Sequence, residues 1–309
     1  MNNELTIIIP DYKSPVLQEV IEKSLLLKPH KIIISNYKTS LTEKIQNEMV
    51  SETNIVFLNF DERKNPGDYR NEGVKKAYTK NLLFLDSDVR VNIKTIERIN
   101  SKLDIGLEED VIYWGIYSEY GKSLFSKIQN KILRYRFSKK FFDNGLKKDK
   151  PYCGQSSHFL ITKNTFNKAG GFNPYLRIRE DNDFVVRSTE MGIKQDLDEE
   201  FEADHLKVYT LYSEYFQKPF HSSKVKIVEP NIFNRPRAQI GLGLLLSWVL
   251  FPLSLILSSI LFFFDLISIN NYFLINVLFL IISFTFLPKK ISDNLNLTEK
   301  IYIFLLLPL

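Results

Sequence analysis

Two aspartates on alternate residues, Asp86 and Asp88, stand just past an apolar run in Leu85-Asp86-Ser87-Asp88-Val89. Carboxylates spaced in this way can both face a cleft or straddle a turn. Hard oxygen donors of this kind suit Mg2+ or Mn2+ bound together with phosphates. A metal held there would neutralise charge growing on a departing diphosphate. Asp-X-Asp also occurs in ordinary surface loops, so the pair takes its meaning from its surroundings. A second acidic group, Glu180-Asp181-Asn182-Asp183, lies ahead of Arg187; Asp and Asn in this position also suit a helix start. His205 follows the acidic stretch Asp196–Asp204, whereas His30, His158 and His221 stand in no pattern that points to chemistry. The single cysteine, Cys153, leaves no internal disulfide and no cysteine-based metal site.

The elements that must position these residues are legible upstream. Four short apolar runs, Leu5–Ile9, Lys31–Ser35, Ile55–Leu58 and Leu82–Leu85, recur at intervals of about 25 residues. They show little polar alternation, as strands covered on both faces do. Between them the pattern predicts helices over Val16–Leu27 and from Gly67 or Asp68 to Lys80, the latter with Val74, Ala77 and Tyr78 on one side. Strand–helix–strand repetition predicts an α/β fold with a mostly parallel sheet and right-handed crossovers. Ligands of such sheets sit outside the carboxyl ends of the strands. The loops to watch are therefore Pro10–Lys13, Asn36–Thr39, Asp61–Asn65 and Asp86–Asp88.

Four blocks then fall in a telling order: Asn65-Pro66-Gly67-Asp68-Tyr69-Arg70-Asn71-Glu72-Gly73, Asn81-Leu82-Leu83-Phe84-Leu85-Asp86-Ser87-Asp88, Ala169-Gly170-Gly171-Phe172-Asn173, and Arg179-Glu180-Asp181-Asn182-Asp183-Phe184-Val185-Val186-Arg187. In order, spacing and wording they resemble the inverting family 2 glycosyltransferases of GT-A fold, over roughly residues 4–210. The resemblance implies a Rossmann-like sheet flanked by helices and a nucleotide-sugar donor. It places Pro10, Asp11 and Tyr12 beside the base and ribose, and Arg70 under the nucleotide, where a planar cation fits. It makes Asp86 face the ribose or the metal, Asp88 the direct ligand of Mn2+ or Mg2+, and His205 a candidate to complete the shell. Asp181 becomes the general base for the acceptor hydroxyl, Glu180 orients acceptor or base, and Arg187 holds the acidic cluster or a donor phosphate. Two departures stand out. Asn36 occupies the place where the family carries an acidic pair for the nucleobase; it still offers a donor and an acceptor to a base edge. UDP is the expected nucleotide, with GDP as the alternative. The Gln-X-X-Arg-Trp block of processive synthases is absent, its nearest text being Gln217-Lys218-Pro219-Phe220, which favours transfer of one sugar per encounter.

Composition sets the surroundings. Of 309 residues 25% are charged, with 41 Lys+Arg against 36 Asp+Glu, which excludes a disordered or collagen-like chain. No secretory signal opens the sequence. Two stretches carry no charge at all, 25 residues over Ile240–Phe264 and 22 over Leu266–Leu287; the first is long enough to predict a transmembrane helix, and the second is long enough if its polar start is loop. Arg235 and Arg237 precede them, Lys289 and Lys290 follow, and only a short polar link around Asp265–Asn271 divides them. That bias predicts a hairpin with both ends in the cytosol. Between Lys122 and Lys150 ten Lys/Arg face two Asp, and Phe125, Ile128, Ile132 and Tyr135 recur at helical spacing. This basic amphipathic segment fits an anionic lipid surface better than nucleic acid, although its apolar side also suits packing on the catalytic domain.

The expected organisation is a cytosolic GT-A domain over 1–225, a juxtamembrane linker over 226–239, a transmembrane hairpin over 240–288 and a cytosolic or interfacial tail over 289–309. The expected function is a membrane-bound inverting glycosyltransferase of a bacterial or archaeal inner membrane. It serves polysaccharide or glycolipid synthesis, and its acceptor is lipid-linked or part of a surface glycan. The alternative is a non-catalytic membrane scaffold that keeps a nucleotide-sugar-binding fold.

Overall fold

The computed structural model describes residues 2–120, 127, 130, 157–177, 180–206, 253–264 and 266–285. Residues 2–120, 157–177 and 180–206 belong to one compact unit; 127, 130 and 253–285 belong to a second.

In the first unit the apolar runs become β1 (Asn2–Asp11), β2 (Pro29–Tyr37), β3 (Ile55–Phe60) and β4 (Asn81–Leu85). They lie in the order β3-β2-β1-β4 and pair in parallel throughout. Helices α1 (Leu17–Leu25), α2 (Ser40–Glu48) and α3 (Pro66–Lys76) make the crossovers. The expected helix to Lys80 stops four residues early, because Ala77 turns extended. Val74 and Ala77 are buried as expected, but Tyr78 falls beyond the helix and is exposed.

Past β4 the sheet becomes mixed. The chain adds β5 (Val89–Arg90), α4 (Ile93–Ile105), β6 (Val111–Glu119), β7 (His158–Thr162), α5 (Lys163–Lys168), α6 (Glu180–Glu190) and β8 (Lys194–His205). Strand β7 runs antiparallel to both β4 and β6, β8 runs parallel to β6, and β5 runs antiparallel to β8. The eight-stranded order is β3-β2-β1-β4-β7-β6-β8-β5. The mostly parallel expectation thus holds without exception for the first four strands; beyond them only β6 and β8 pair in parallel, where the regular strand–helix alternation has ended.

The sheet faces are covered differently. On one, Ile7, Ile9, Ile32, Ile34, Leu83 and Leu85 meet Leu17, Val20 and Ile21 of α1, Ile45 of α2 and Ile99 of α4. On the other lies an aromatic layer: Phe84 stacks on Phe159 at 4.5 Å, and Phe172 stacks on Phe184 of α6 at 4.7 Å. Helix α3 packs against β1 on this side through Gly73, where a Cβ would stand 2.6 Å from Ile8 Cγ2.

Strands β6 and β8 contain a large bulge. Trp114 pairs with Leu197, but Ile116 pairs with Glu202, so Gly115 alone faces Asp198–Phe201. A Cβ at Gly115 would meet His158 Nε2 at 2.0 Å and Phe201 O at 2.5 Å. His158, fully buried, donates from Nε2 to Phe201 O at 2.9 Å; a carbonyl only accepts, which fixes the tautomer. The histidine that carried no signal in the sequence therefore pins the bulge.

In the second unit residues 253–263 are helical, and α7 spans Ile269–Thr285. Their contact combines a Phe262–Tyr272 ring pair at 5.7 Å with a polar cluster. Asn276, buried, donates to Ser258 Oγ at 2.9 Å and to Tyr272 O at 2.8 Å, with Ser254 buried beside it. Leu253, Ile256, Leu257, Ile260, Phe263, Phe273 and Leu274 are exposed instead. Among the described residues no helix is long and apolar enough to cross a membrane. Helix α7 has 17 residues, roughly 26 Å at 1.5 Å per residue. The apolar stretch expected from Leu266 loses its start to the connection: Ser268 Oγ accepts from Asn271 N at 3.3 Å and the helix opens at Ile269. Most of the expected first span, residues 240–252, and the basic segment 122–150, apart from the helical Lys127 and Asn130, lie outside the described residues.

Burial lowers the His158 pKa from its ordinary value to about 4. The fold therefore refuses a proton that the unfolded chain accepts below about 6.5, and stability rises with pH across that window. It is fully present above about pH 6.5 and is lost as pH falls toward 4, by roughly 2–3 kcal/mol between pH 7 and pH 4.5. Denaturant midpoints at both pH values, compared with His158→Gln, should show that component only in the unsubstituted chain. Equal pH dependence in the two proteins would mean that His158 is not held neutral.

Candidate active site

The carboxyl ends of β1 and β4 open onto a cleft of about 480 Å3, lined by Pro10, Asp11, Tyr12, Arg63, Lys64, Asn65, Pro66, Tyr69, Arg70, Asp86, Ser87, Asp88, Arg177 and Glu180. The loop after β1 is a tight turn made by its own aspartate: Asp11 accepts from Lys13 N at 3.2 Å and Ser14 N at 3.1 Å. Lys13 takes a positive φ of 61° to close it. Ser14 Oγ then donates to Ser87 O at 2.8 Å, tying this turn to the Asp86–Asp88 loop. Burial pushes the Asp11 carboxyl above the usual range, against those backbone donors, and the nearby Asp88 adds to the rise.

Arg70 is the centre of the cleft floor. Only 3% exposed, it donates from Nη2 to Asp86 Oδ1 at 2.6 Å and from Nη1 to Glu180 Oε1 at 2.9 Å. Its guanidinium lies 5.1 Å from the centre of the Phe172 ring. Burial alone would lower its pKa, but the two carboxylates hold it above the ordinary value, so the cation is permanent. Helix α3 delivers it because Pro66 opens the helix without needing its missing N–H. Gly67 admits the loop from above: a Cβ there would sit 2.8 Å from Phe172 Cβ and 3.3 Å from Glu180 Cγ. Asn71 completes the join, its amide pairing with both backbone groups of Phe172, at 2.9 Å to N and 2.7 Å to O. Gly171, at φ 67°, passes close enough that a Cβ would lie 2.9 Å from Asn71 Oδ1.

Asp88, in the loop after β4, and His205, at the end of β8, converge. His205 Nε2 stands 3.6 Å from Asp88 Oδ2, and Leu206 N donates to Asp88 O at 2.8 Å. Two donors each about 2.1 Å from one ion can be no more than about 4.2 Å apart, so this pair fits a single divalent cation. A carboxylate with an imidazole suits Mn2+ better than Mg2+. Asp86 is less well placed, since one of its oxygens is spent on Arg70. Among the described residues no group of three or more His, Cys, Asp or Glu forms a ready-made cage; phosphate oxygens would have to complete the shell.

The remaining expected residues divide. Glu180 lines the cleft, and Asp181 follows it at the start of α6, half-buried, with Oδ1 accepting from Asn182 N at 2.8 Å. Arg187 holds part of the acidic cluster, Asp183 Oδ2 at 2.8 Å, and spends its other donors on Ala169 O at 2.6 Å and Gly171 O at 2.8 Å. It braces the Gly170-Gly171 turn and does not line the cleft. Asn36 is fully buried at the end of β2, does not line the cleft either, and its Oδ1 has no hydrogen bond. Arg63, Lys64 and Arg177 were missed. Arg63 lies 3.9 Å over the Tyr12 ring, and both Arg63 and Lys64 belong to the Asp61–Asn65 loop flagged as a post-strand position. Arg177 carried no signal, because only the folded 171–177 segment brings it to the cleft.

The chain matches the family described as glycosyl transferase family 2 over residues 6–169. No curated protein sequence matches it. In fold it is similar to the mannosyltransferase PcManGT from Pyrobaculum calidifontis, solved in complex with GDP-Man and Mn2+. The identity is 12% and the TM-score 0.51, over 74% of this chain and 66% of that one. It is also similar to S. aureus TarS 1-349, at 14% identity and TM-score 0.47 over 70% of this chain; it spans 62% of that fragment's length.

Removing the central cation should unfold the site rather than merely silence it. Arg70→Met leaves the nearly buried Glu180 carboxylate without its cation beside Asp86, which stays partly open to the cleft, at a cost of about 3 kcal/mol, the low end for a broken buried pair. Arg70→Lys, a single point charge that cannot span both partners, should lose less. Chemical denaturation measures both, and a wild-type midpoint for Arg70→Met would remove Arg70 from the structural core of the cleft. A cleft of this charge pattern at the carboxyl ends of β1 and β4, in a chain that matches the family over more than half its length, establishes that this protein belongs to glycosyl transferase family 2.

Proposed function

We propose that this glycosyltransferase moves one sugar at a time, with inversion, from a nucleotide sugar to a hydroxyl of a lipid-linked or surface-glycan acceptor at a membrane. The observation that carries the reading is the convergence of the β1 and β4 loops with Arg70 and Glu180 around one cleft. UDP is the first expectation for the nucleotide; GDP gains weight from the archaeal mannosyltransferase of similar fold, which was solved with GDP-Man.

In this reading the donor's base and ribose lie against Pro10, Asp11 and Tyr12. Arg63, Lys64 and Arg177 line the same cleft and offer cations to the diphosphate. Asp181, one residue from the cleft-lining Glu180, accepts the proton of the acceptor hydroxyl. The hydroxyl oxygen bonds to the anomeric carbon as the bond from that carbon to the diphosphate breaks on the opposite face. Glu180, fixed by Arg70, keeps the start of α6 in place. Asp88 and His205, with donor phosphate oxygens, would hold Mn2+ or Mg2+. Such an ion supplies charge neutralisation for the leaving diphosphate.

Membrane attachment is supported by the second unit. A helix pair that buries Asn276, Ser254 and Ser258 while exposing Leu, Ile and Phe has its polarity inverted relative to a water-soluble one. That arrangement suits hydrocarbon, where small and polar residues join helices. With Arg235, Arg237, Lys289 and Lys290 at the outer ends, the catalytic unit belongs on the cytosolic side, where nucleotide sugars are made.

Nucleotide release from a panel of UDP- and GDP-sugars with Mn2+ tests donor and activity together. Donor binding without release from any of them would return the scaffold alternative. Asp181→Asn should leave donor binding nearly intact while transfer falls by roughly 10²–10⁴-fold; turnover within threefold of wild type would return Asp181 to a helix-start role. For the membrane claim, flotation of the full chain with liposomes should persist at high salt. Release by salt alone would mean that the attachment is electrostatic and that the helix pair does not enter the bilayer.

A further inference from the structure

We propose that Arg90 is a positioning residue for the Asp88–His205 pair, setting the affinity of the site for a divalent cation without touching the ion. The inference rests on the metal reading above and adds to it a residue that neither the cleft nor the family motifs contain.

The two candidate ligands sit on very little backbone. Asp88 directly precedes β5, which has two residues, and His205 ends β8. The strands meet only through Val89 opposite His205 and Arg90 opposite Asp204. A bridge so short is prone to local opening, yet it must hold two donor atoms 3.6 Å apart. Side chains supply the missing rigidity. Arg90, its side chain 15% exposed, donates to Asp204 Oδ2 from Nη2 at 2.8 Å and from Nε at 3.3 Å. Its Nη1 reaches across to Glu19 Oε1 of α1. Its guanidinium lies 4.3 Å over the Tyr120 ring, and Tyr120 N donates to His205 O at 2.9 Å. The other Asp204 oxygen, Oδ1, accepts from Asn92 Nδ2 at 3.3 Å.

One guanidinium, two residues from Asp88, thus joins α1, β8 and the residue after β6, and its anchor Asp204 is next to His205. Arg90 does not line the cleft, so it acts through Asp204 and the backbone. A partly shielded, multiply bonded arginine is suited to this, because its planar fork fixes direction as well as distance. Outer partners of metal ligands commonly change metal affinity by about 10–100-fold when removed.

The test is a Mn2+ titration of the full-length protein, with and without UDP, in which free Mn2+ is followed by electron paramagnetic resonance. Unsubstituted protein, Asp88→Asn, Arg90→Gln and Glu19→Gln are compared. The expected result is that Asp88→Asn loses the site. Arg90→Gln should weaken it about 10–100-fold at an unchanged ratio of one ion per chain, and Glu19→Gln, which keeps the Asp204 bonds, should weaken it less. A merely structural role predicts the reverse, fewer competent chains at unchanged affinity, and that outcome overturns the proposal. If Arg90→Gln does not fold, Glu19→Gln decides: weakened binding supports positioning, and affinity within twofold of wild type overturns it. If the unsubstituted protein binds no Mn2+, or Asp88→Asn binds it equally well, the metal reading itself fails and this proposal with it. Loss in Asp88→Asn alone, with Arg90→Gln unchanged, rejects Arg90 and leaves the metal reading standing.

Discussion

A guanidinium taken out of water between two carboxylates constrains everything around it. Arg70 reaches Asp86 from the β4 loop and Glu180 from α6, residues that stand 16 and 110 positions away in the chain. A charge this deeply buried is tolerated only when its partners are fixed at hydrogen-bonding distance. Helix α3 must therefore lie close both to the sheet and to the 171–177 segment and the start of α6. Gly73 allows the first approach and Gly67 the second. Asn71 and Asn65 then fasten the loop, the latter by donating to Pro174 O at 2.7 Å. Phe172, held by Asn71, supplies the ring beneath the cation and joins the aromatic layer that fills this side of the sheet. The motif block 65–73 is thus a set of contacts in two directions: Asn65, Gly67 and Asn71 meet the Phe172–Pro174 segment and Glu180, Gly73 meets β1, and Arg70 joins the two sides.

The cleft charges follow from the same geometry. Asp11, Asp86, Asp88 and Glu180 are matched by Arg63, Lys64, Arg70 and Arg177 along its walls. Only Arg70 is committed to holding the floor. Arg63 and Lys64 come from the loop after β3 and Arg177 from the 171–177 segment after α5, where an anionic ligand can meet them without breaking the core. Asp88, beside His205 and away from Arg70, is the carboxylate whose surroundings suit an ion; Asp86, bonded to Arg70, serves the floor. Two aspartates two residues apart therefore do different work, decided by which cation each one faces.

Much of this was readable in advance, and the limits have a physical cause. Apolar runs of uniform character located β1 to β4 within a few residues, because strands buried on both faces leave no polar alternation to confuse them. The Arg70, Asp86, Asp88 and Glu180 positions were legible from motif wording. Arg187 was expected to hold the acidic cluster or a donor phosphate; it bonds Asp183, and its bonds to Ala169 O and Gly171 O depend on a turn whose path the sequence does not state. Asn36 was expected at the base and is instead sealed at the β2 end. Nothing in a strand-end asparagine distinguishes inward from outward until its neighbours Asp11 and Asn59 are in register. The antiparallel half of the sheet was hidden for a similar reason. His205 reaches Asp88 only because β8 advances five residues while β6 advances two, between the Trp114–Leu197 and Ile116–Glu202 pairs. That bulge depends on Gly115 and on a histidine that looked unremarkable.

The rule that fixes Arg70 also accounts for the second unit, with the solvent exchanged. A buried polar group must be satisfied by the protein itself. Around Arg70 the paired charges form the floor of a polar cleft, with the Phe172 ring and the aromatic layer on the core side. In the 253–285 segment Asn276 is satisfied by Ser258 and Tyr272 between two helices, but the outward surface is Leu, Ile and Phe. In water such a surface would be left without a partner and would drive association. In hydrocarbon it is matched by its surroundings, and the asparagine becomes the reason for the helices to stay together. One chain thus applies a single requirement twice. In the catalytic unit it produces a polar cleft on an apolar core, and in the helical unit a polar seam beneath an apolar exterior.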